Sequence, residues 1–330
     1  MTILVGIAFS LVGIVLLTFA ADAFVEGAAK LAVVLQVTPI VIGAVIIGFG
    51  TSAPEMLVSA VAATNGDGDL GIGNIIGSNI ANLSLILGSA ALLVPIAVAK
   101  DVLRREAIMA TVAAVIFAMT LQGGGINVVE GVLLFVLLIL SLGWVIRSGN
   151  APPIDEIVDD GSRVEPRAEI IRTLVGLLGT VGGAWLLVRG ATDLADEFGL
   201  SGGFVGVTLV AVGTSLPELV TTIAAARQGV TDLIVGNLLG SNLFNSLAVG
   251  GVVGVLGDGV IKDSSLATLD VGFMLVVCLG AFAAMWSRAL FTRLEGAVLL
   301  GVFVLFLVVS YLNETADGTA ESAVLVLSAL

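Results

Sequence analysis

Two glutamates, Glu55 and Glu218, stand inside apolar stretches of this 330-residue chain. Each follows the same run of small and polar residues: Gly50-Thr51-Ser52-Ala53-Pro54 before Glu55, and Gly213-Thr214-Ser215-Leu216-Pro217 before Glu218. A second run follows at equal distance, Gly77-Ser78-Asn79 with Asn82 in one case and Gly240-Ser241-Asn242 with Asn245 in the other. Each set offers one carboxylate, several hydroxyls, an amide oxygen and backbone carbonyls, all of them hard oxygen donors. The chain has no His, and Cys278 is its one cysteine, so imidazole and thiolate play no part. Such a donor set suits Na⁺ and Ca²⁺, the latter taking about 6–8 oxygens, whereas Mg²⁺ gives up its water too reluctantly for a dry cage. Two carboxylates balance one Ca²⁺ or two Na⁺, which is a physical reason for the two cations to compete.

The two sets are copies. Residues 48–88 laid on 211–251, a shift of 163 positions without a gap, are identical at 17 of 41 places, and a weaker match reaches back to Gly27-Ala28 against Gly190-Ala191. Pro54 has no N–H and its ring collides with the carbonyl of Gly50, so a helix through residues 47–51 is expected to break and free its carbonyls. Glycines beside the break lower its cost. Inside a membrane such a break is tolerated where it is buried or lines a polar cavity. Thr51 is four residues before Glu55 and shares its face where the segment is helical; Thr214 stands in the same relation to Glu218.

The elements that must position these residues are membrane spans. The apolar fraction is 58%, in long runs free of charge, and about 20 such residues cross a bilayer. The reading is an all-α polytopic membrane protein with spans near 3–25, 37–64, 70–97, 102–122, 126–147, 168–190, 200–227, 232–257, 266–287 and 293–312. With the N-terminus outside, eleven of the thirteen Lys and Arg fall on the cytoplasmic side and only Arg189 and Lys262 outside, as the positive-inside bias requires. Both termini are then outside, and the protein belongs in the cell membrane. Five spans per copy is an odd number, so the second copy enters the bilayer in the opposite sense: two inverted five-helix repeats, broken at the midplane. The repeats are 1–147 and 168–312, joined by an acidic cytoplasmic linker, 148–167. A tail, 313–330, follows; its apolar end is too short to span and lies at the interface or is disordered. The first apolar run lacks the basic flank of a cleavable signal.

Blander roles compete for several residues. A lone Glu in a span can snorkel to the interface, but two at equivalent places after the same break read as functional. Ser and Thr in spans often serve packing, and Asn82 and Asn245 could be interhelical glue. Gly73-x-x-x-Gly77 and Gly236-x-x-x-Gly240 read as close helix crossings. Asp22, Glu26, Glu106, Glu130, Asp193 and Asp270 are expected at the interface, and the loop 65–69 as a turn. The net charge of −13 gives no nucleic-acid signal. No HExxH, Walker loop or nucleophile elbow is present, so no enzyme is expected.

GTSAPE with GSNIAN, and GTSLPE with GSNLFN, resemble the paired repeats of the Na⁺/Ca²⁺ exchangers of the cation/Ca²⁺ antiporter superfamily, here of prokaryotic type. The resemblance covers residues 27–88 and 190–251. It implies Na⁺-driven Ca²⁺ antiport by alternating access, with Ca²⁺ and Na⁺ as cargo, no cofactor and no obligate protein partner. It places Ca²⁺ among Glu55, Glu218, Thr51 and Thr214. Ser52, Ser78, Ser215, Ser241 and backbone oxygens near Gly48 and Ala211 complete flanking Na⁺ sites, and Asn82 and Asn245 border the middle. Some relatives, K⁺-dependent exchangers included, carry Asp at position 245; Asn245 speaks against K⁺ co-transport. H⁺/Ca²⁺ exchangers usually carry a G-N-A-x-E motif instead, so proton coupling through the same glutamates is the alternative. A cation channel is the alternative of another class, and a structural membrane protein the blandest.

Overall fold

A backbone in hydrocarbon must satisfy its own polar groups, and this chain does so by being mostly helical. The structure is a computed structural model and describes residues 2–34, 52–98, 103–147, 165–228, 231–257 and 260–328. In order the described helices are α1 (Thr2–Val34), α2 (Ala53–Thr64), α3 (Gly68–Leu93), α4 (103–121), α5 (Val128–Arg147) and α6 (Pro166–Phe198), then α7 (Gly202–Thr214), α8 (Leu216–Gln228), α9 (231–256), α10 (Leu266–Arg288) and α11 (Arg293–Ser328). Among the described residues six helices, α1, α3, α6, α9, α10 and α11, are long and apolar enough to cross a membrane. Residues 37–51 of the second expected span lie outside the described residues, as does most of the linker. α11 continues into the tail as far as Ser328.

The duplication recurs in the elements. Shifted by 163 positions, α3 falls on α9 from end to end and α4 begins where α10 begins. Both α3 and α9 contain one π-helical turn at matching places, Asn82–Ile86 and Asn245–Val249. Leu103–Ala107 in α4 and Leu266–Asp270 in α10 form a second matching pair. Such turns widen a helix locally and are frequent at functional sites; here two of them start at Asn82 and Asn245.

Burial separates inner from outer helices. The spanning windows of α3 and α9 are 83% buried, those of α1, α6 and α11 only 22–28%. Ile72, Ile76, Phe117, Leu247 and Phe306 belong to the larger core around α3 and α9. Leu17, Val58, Leu187 and Val210 form a second core where α1 and α6 meet α2 and α7. Leu11, Phe19, Leu174 and Leu178 point outward, the arrangement that lipid rewards. A short antiparallel strand pair, β1 (Ile96–Ala97) and β2 (Leu290–Phe291), joins the end of α3 to the start of α11. Asn127 with Glu130, and Thr292 with Glu295, form capping boxes at the starts of α5 and α11. Glu130, expected at the interface, therefore has a structural task.

The helices α1 and α6 are longer than the spans expected for them. Each has 33 residues, about 50 Å at 1.5 Å per residue, so they tilt or project beyond the hydrocarbon. They cross antiparallel along glycines spaced by seven. A Cβ on Gly13 would sit 2.9 Å from the Gly183 carbonyl, one on Gly183 2.8 Å from the Leu17 amide, and one on Gly190 2.6 Å from the Gly6 carbonyl. Lipid tails give no hydrophobic reason for two apolar helices to associate, so such close backbone packing supplies it. At one end Glu26 accepts from Lys30 at 2.7 Å, which holds its carboxyl below the usual range, and pairs with Arg172 of α6. Gly183→Leu is expected to drive the pair apart and lower the thermal midpoint of the purified protein by several degrees, since overpacking costs about 1–3 kcal/mol. Gly301→Leu on the exposed face of α11, where a Cβ meets nothing within 4 Å, is expected to leave that midpoint unchanged.

Candidate functional site

The break ahead of Glu218 is present and narrow. Ser215, between two helices, has φ −84°, ψ 5°, and Ser52 at the matching place ahead of α2 has nearly the same backbone, φ −94°, ψ 9°. α2 and α8 start directly after these serines, with Pro54 and Pro217 in their first turns. Met56 N–H donates to the Ser52 carbonyl, and Leu219 N–H to that of Ser215, each at 3.0 Å. Unwinding over 47–51 was the expectation. Gly48 and Thr51 lie outside the described residues, but their counterpart 210–214 is helical through Thr214 and confines the break to Ser215. Glu55 and Glu218 thus stand in the first turn of a helix, where the dipole favours a carboxylate.

Both glutamates are wholly buried, as are Ser52, Ser78, Asn82, Ser241 and Asn245, while Thr214 and Ser215 are 1–2% exposed. The contacts run between the copies. Ser215 Oγ donates to Glu55 Oε1 at 3.3 Å, and Ser52 Oγ lies 3.1 Å from Ser241 Oγ. Asn82 Nδ2 donates to Ser241 Oγ at 3.2 Å and to Asn242 Oδ1 at 2.9 Å. Ala211 is buried, and its carbonyl accepts from Ser215 N–H at 3.1 Å and lies 3.3 Å from Thr214 Oγ1. Among the described residues Glu55 Oε2, Asn82 Oδ1 and both polar atoms of Asn245 have no hydrogen-bond partner. A buried oxygen costs free energy unless something bonds it; oxygens left open beside a carboxylate are what a dehydrated cation needs. Among the described residues no three Asp, Glu, Cys or His side chains gather as a metal cluster, so any cation here relies on neutral oxygens besides the carboxylates.

Three residues outside the expected set belong to the same interior. Asn74 bonds Ser59, the Glu55 carbonyl and Thr214; Asn79 Nδ2 donates to Ser246 Oγ at 3.1 Å; and Asn242 Nδ2 donates to the Asn79 carbonyl at 3.2 Å. Their signal was the repeat itself, since Asn74 matches Asn237 and Asn79 matches Asn242 at the common shift.

The polar residues around the site have structural duties. In the 65–69 loop Gly66 has φ +79°, a turn conformation suited to glycine. Asp69 accepts the backbone N–H groups of Lys262 and Asp263, both at 3.0 Å, and burial pushes the Asp67 carboxyl above its usual range. The loop is a tied turn. Asp270, expected at the interface, is instead 2% exposed and accepts from Ser265 at 2.9 Å and Ser310 at 3.0 Å. Those two hydroxyls, from the preceding turn and from α11, are what permit its burial.

Comparison with known proteins places this arrangement. The CaxA protein of Alkalimonas amylolytica is 38% identical over 91% of this chain and 97% of its own length. The sodium/calcium exchanger MaX1 of Methanosarcina acetivorans is 32% identical over 91% of this chain and 97% of its own. A solved structure of the sodium-calcium exchanger NCX_Mj, soaked with Na⁺ and Sr²⁺, superposes with a TM-score of 0.64 at 30% identity, covering 92% of this chain and 98% of that one. The profile of the sodium/calcium exchanger proteins matches residues 5–147 and 169–312. With nearly the whole of both copies covered, the chain belongs to the sodium/calcium exchanger family of integral membrane transport proteins.

Proposed function

We propose that this protein exchanges Na⁺ for Ca²⁺ across the cell membrane by alternating access, binding the ions between Glu55 and Glu218. The observation that carries the reading is the contact of Ser215 from the second copy with the Glu55 carboxylate of the first, inside a buried, oxygen-rich interior. The Ca²⁺ ligands are Glu55, Glu218, Thr51 and Thr214. Ser52, Ser78, Ser215, Ser241 and the backbone oxygens of Gly48 and Ala211 serve flanking Na⁺ sites, with Asn82 and Asn245 at the middle. Na⁺ entering from outside competes for these oxygens and releases Ca²⁺. The frame is ten spans in two inverted five-helix repeats, 1–147 and 168–312, with both termini outside. It is supported by the matching helices and by the antiparallel crossing of α1 with its own counterpart α6, since an inverted repeat is related by an axis in the membrane plane.

The test is ⁴⁵Ca²⁺ uptake into proteoliposomes loaded with Na⁺ and diluted into Na⁺-free buffer at equal pH. Uptake that requires internal Na⁺ is the expected result. Uptake indifferent to Na⁺ and driven by an imposed pH gradient would transfer the same glutamates to proton exchange.

A further inference from the structure

We infer that Asn74 is a positioning residue for the transported ions: it takes the hydroxyl protons of Thr214 and Ser78 and so turns their oxygen lone pairs toward the site. This rests on the ion site proposed above and adds a residue to it. Asn74 lies on α3, wholly buried, with four polar neighbours. Its Nδ2 is 3.3 Å from the Glu55 carbonyl and 3.0 Å from Ser59 Oγ. Its Oδ1 is 3.1 Å from Thr214 Oγ1 and 3.5 Å from Ser78 Oγ. The orientation of the amide follows from this network. A carbonyl only accepts, so the atom facing Glu55 must be the NH₂ group. Ser59 gives its own proton to the Gly71 carbonyl at 3.2 Å, so it too accepts from Asn74. The oxygen of Asn74 therefore faces Thr214 and Ser78, and in these two contacts the hydroxyls are the donors.

The consequence is chemical. A hydroxyl ligates a cation through a lone pair, and its proton has to go elsewhere. A cation cannot tolerate an O–H pointed at it, and a hydroxyl free to rotate must be ordered when the ion binds. Asn74 does that ordering in advance, for one hydroxyl from each copy, while its NH₂ group holds the backbone of Glu55. Without Asn74, the acceptors beside Thr214 are the Ala211 carbonyl at 3.3 Å and the Glu55 carboxylate. Both are assigned to the ions, so either the hydroxyl or one of those oxygens is lost to them. The role parallels the outer partners that orient the ligands of a metal.

The experiment is a double-mutant cycle on the full-length protein, read as the half-saturating Ca²⁺ concentration for ⁴⁵Ca²⁺ binding. Asn74→Leu keeps the volume and removes both polar functions; Thr214→Val removes the hydroxyl. Each single change is expected to raise half-saturation about 10- to 100-fold, the usual loss for an outer partner of a metal ligand. The double variant is expected to be no worse than the poorer single one, within about threefold, because the two side chains act as one unit. A double effect equal to the product of the singles would overturn the inference and leave Asn74 as packing alone. So would an unchanged Thr214→Val. Asn74→Asp keeps the accepting oxygen, so it carries the test if the leucine variant does not reach the membrane. Half-saturation within about threefold of the parent supports the role, and a rise as large as that of Thr214→Val overturns it. Glu218→Gln runs beside these variants. If it still binds Ca²⁺ like the parent, the ion site itself is misplaced; if it fails while the cycle is additive, only the role of Asn74 falls.

Discussion

Glu218→Gln is expected to reach the membrane at the parental level and to exchange less than about 1% as much Ca²⁺. The substitution keeps the size and hydrogen-bonding reach of the side chain and removes one negative charge from a wholly buried position. With both carboxylates ionised the site carries −2 and neutralises Ca²⁺; with one it leaves a net positive charge in a low-dielectric interior. Removing one partner from a buried charge pair costs about 3–5 kcal/mol, and each 1.4 kcal/mol is about tenfold in affinity, so binding falls by ~100-fold or more. The neutral oxygens around it cannot make up the loss, because dipoles do not replace a net charge. Glu55→Gln is expected to fail equally, although Ser215 still has an oxygen to donate to. Substantial Na⁺-dependent exchange in either variant, in the liposome assay described above, would remove the glutamates from the site.

The unequal legibility of fold and site has physical causes. The break could be read because proline acts on its own neighbours: Pro54 and Pro217 lack the N–H that would bond the carbonyl four residues back, and Ser215 interrupts the helix two residues ahead of its proline. The close approach at Gly73 and Gly77 could be read from their spacing. For Gly236 and Gly240, the stretch that the repeat puts opposite them, near 40–48, is outside the described residues. The repeat marks Asn74 through its match to Asn237, but its role could not be read. In G-I-G-N-I-I-G it is one polar residue in a small-residue span, and its acceptor role exists only because Thr214, 140 positions away, packs beside it. Asp270 was misjudged for the same reason, since nearness to a span end says nothing of the Ser265 and Ser310 hydroxyls that make its burial tolerable. The length of α6 beyond residue 190 depends on α1, whose glycines meet those of α6 only once the pairing is known.

Gly77→Ala is expected to be the most damaging of the single-methyl changes on α3. An ideal Cβ at Gly77 would stand 2.3 Å from the Val207 carbonyl oxygen and 2.6 Å from the Ala211 Cβ. The nearer of these is backbone and cannot rotate aside, so α3 and α7 must move apart. These two helices bring Ser78 and Asn82 toward Ala211 and Thr214, and a shift of about 1 Å in a binding geometry is felt strongly. Stability falls as well, by at least the ~1–3 kcal/mol of ordinary overpacking. Gly71→Ala on the same helix is the control, because its nearest contact, the Ser59 carbonyl, is 3.3 Å away and needs to yield only slightly. The measurement pairs the thermal midpoint of the purified protein with ⁴⁵Ca²⁺ binding. Both are expected to drop steeply for Gly77→Ala and little for Gly71→Ala. Adding Ala211→Gly removes the 2.6 Å contact but leaves the Val207 oxygen in place, so it is expected to rescue neither reading. Full rescue would mean that the side-chain contact, and not the backbone crossing, sets the distance between the two helices.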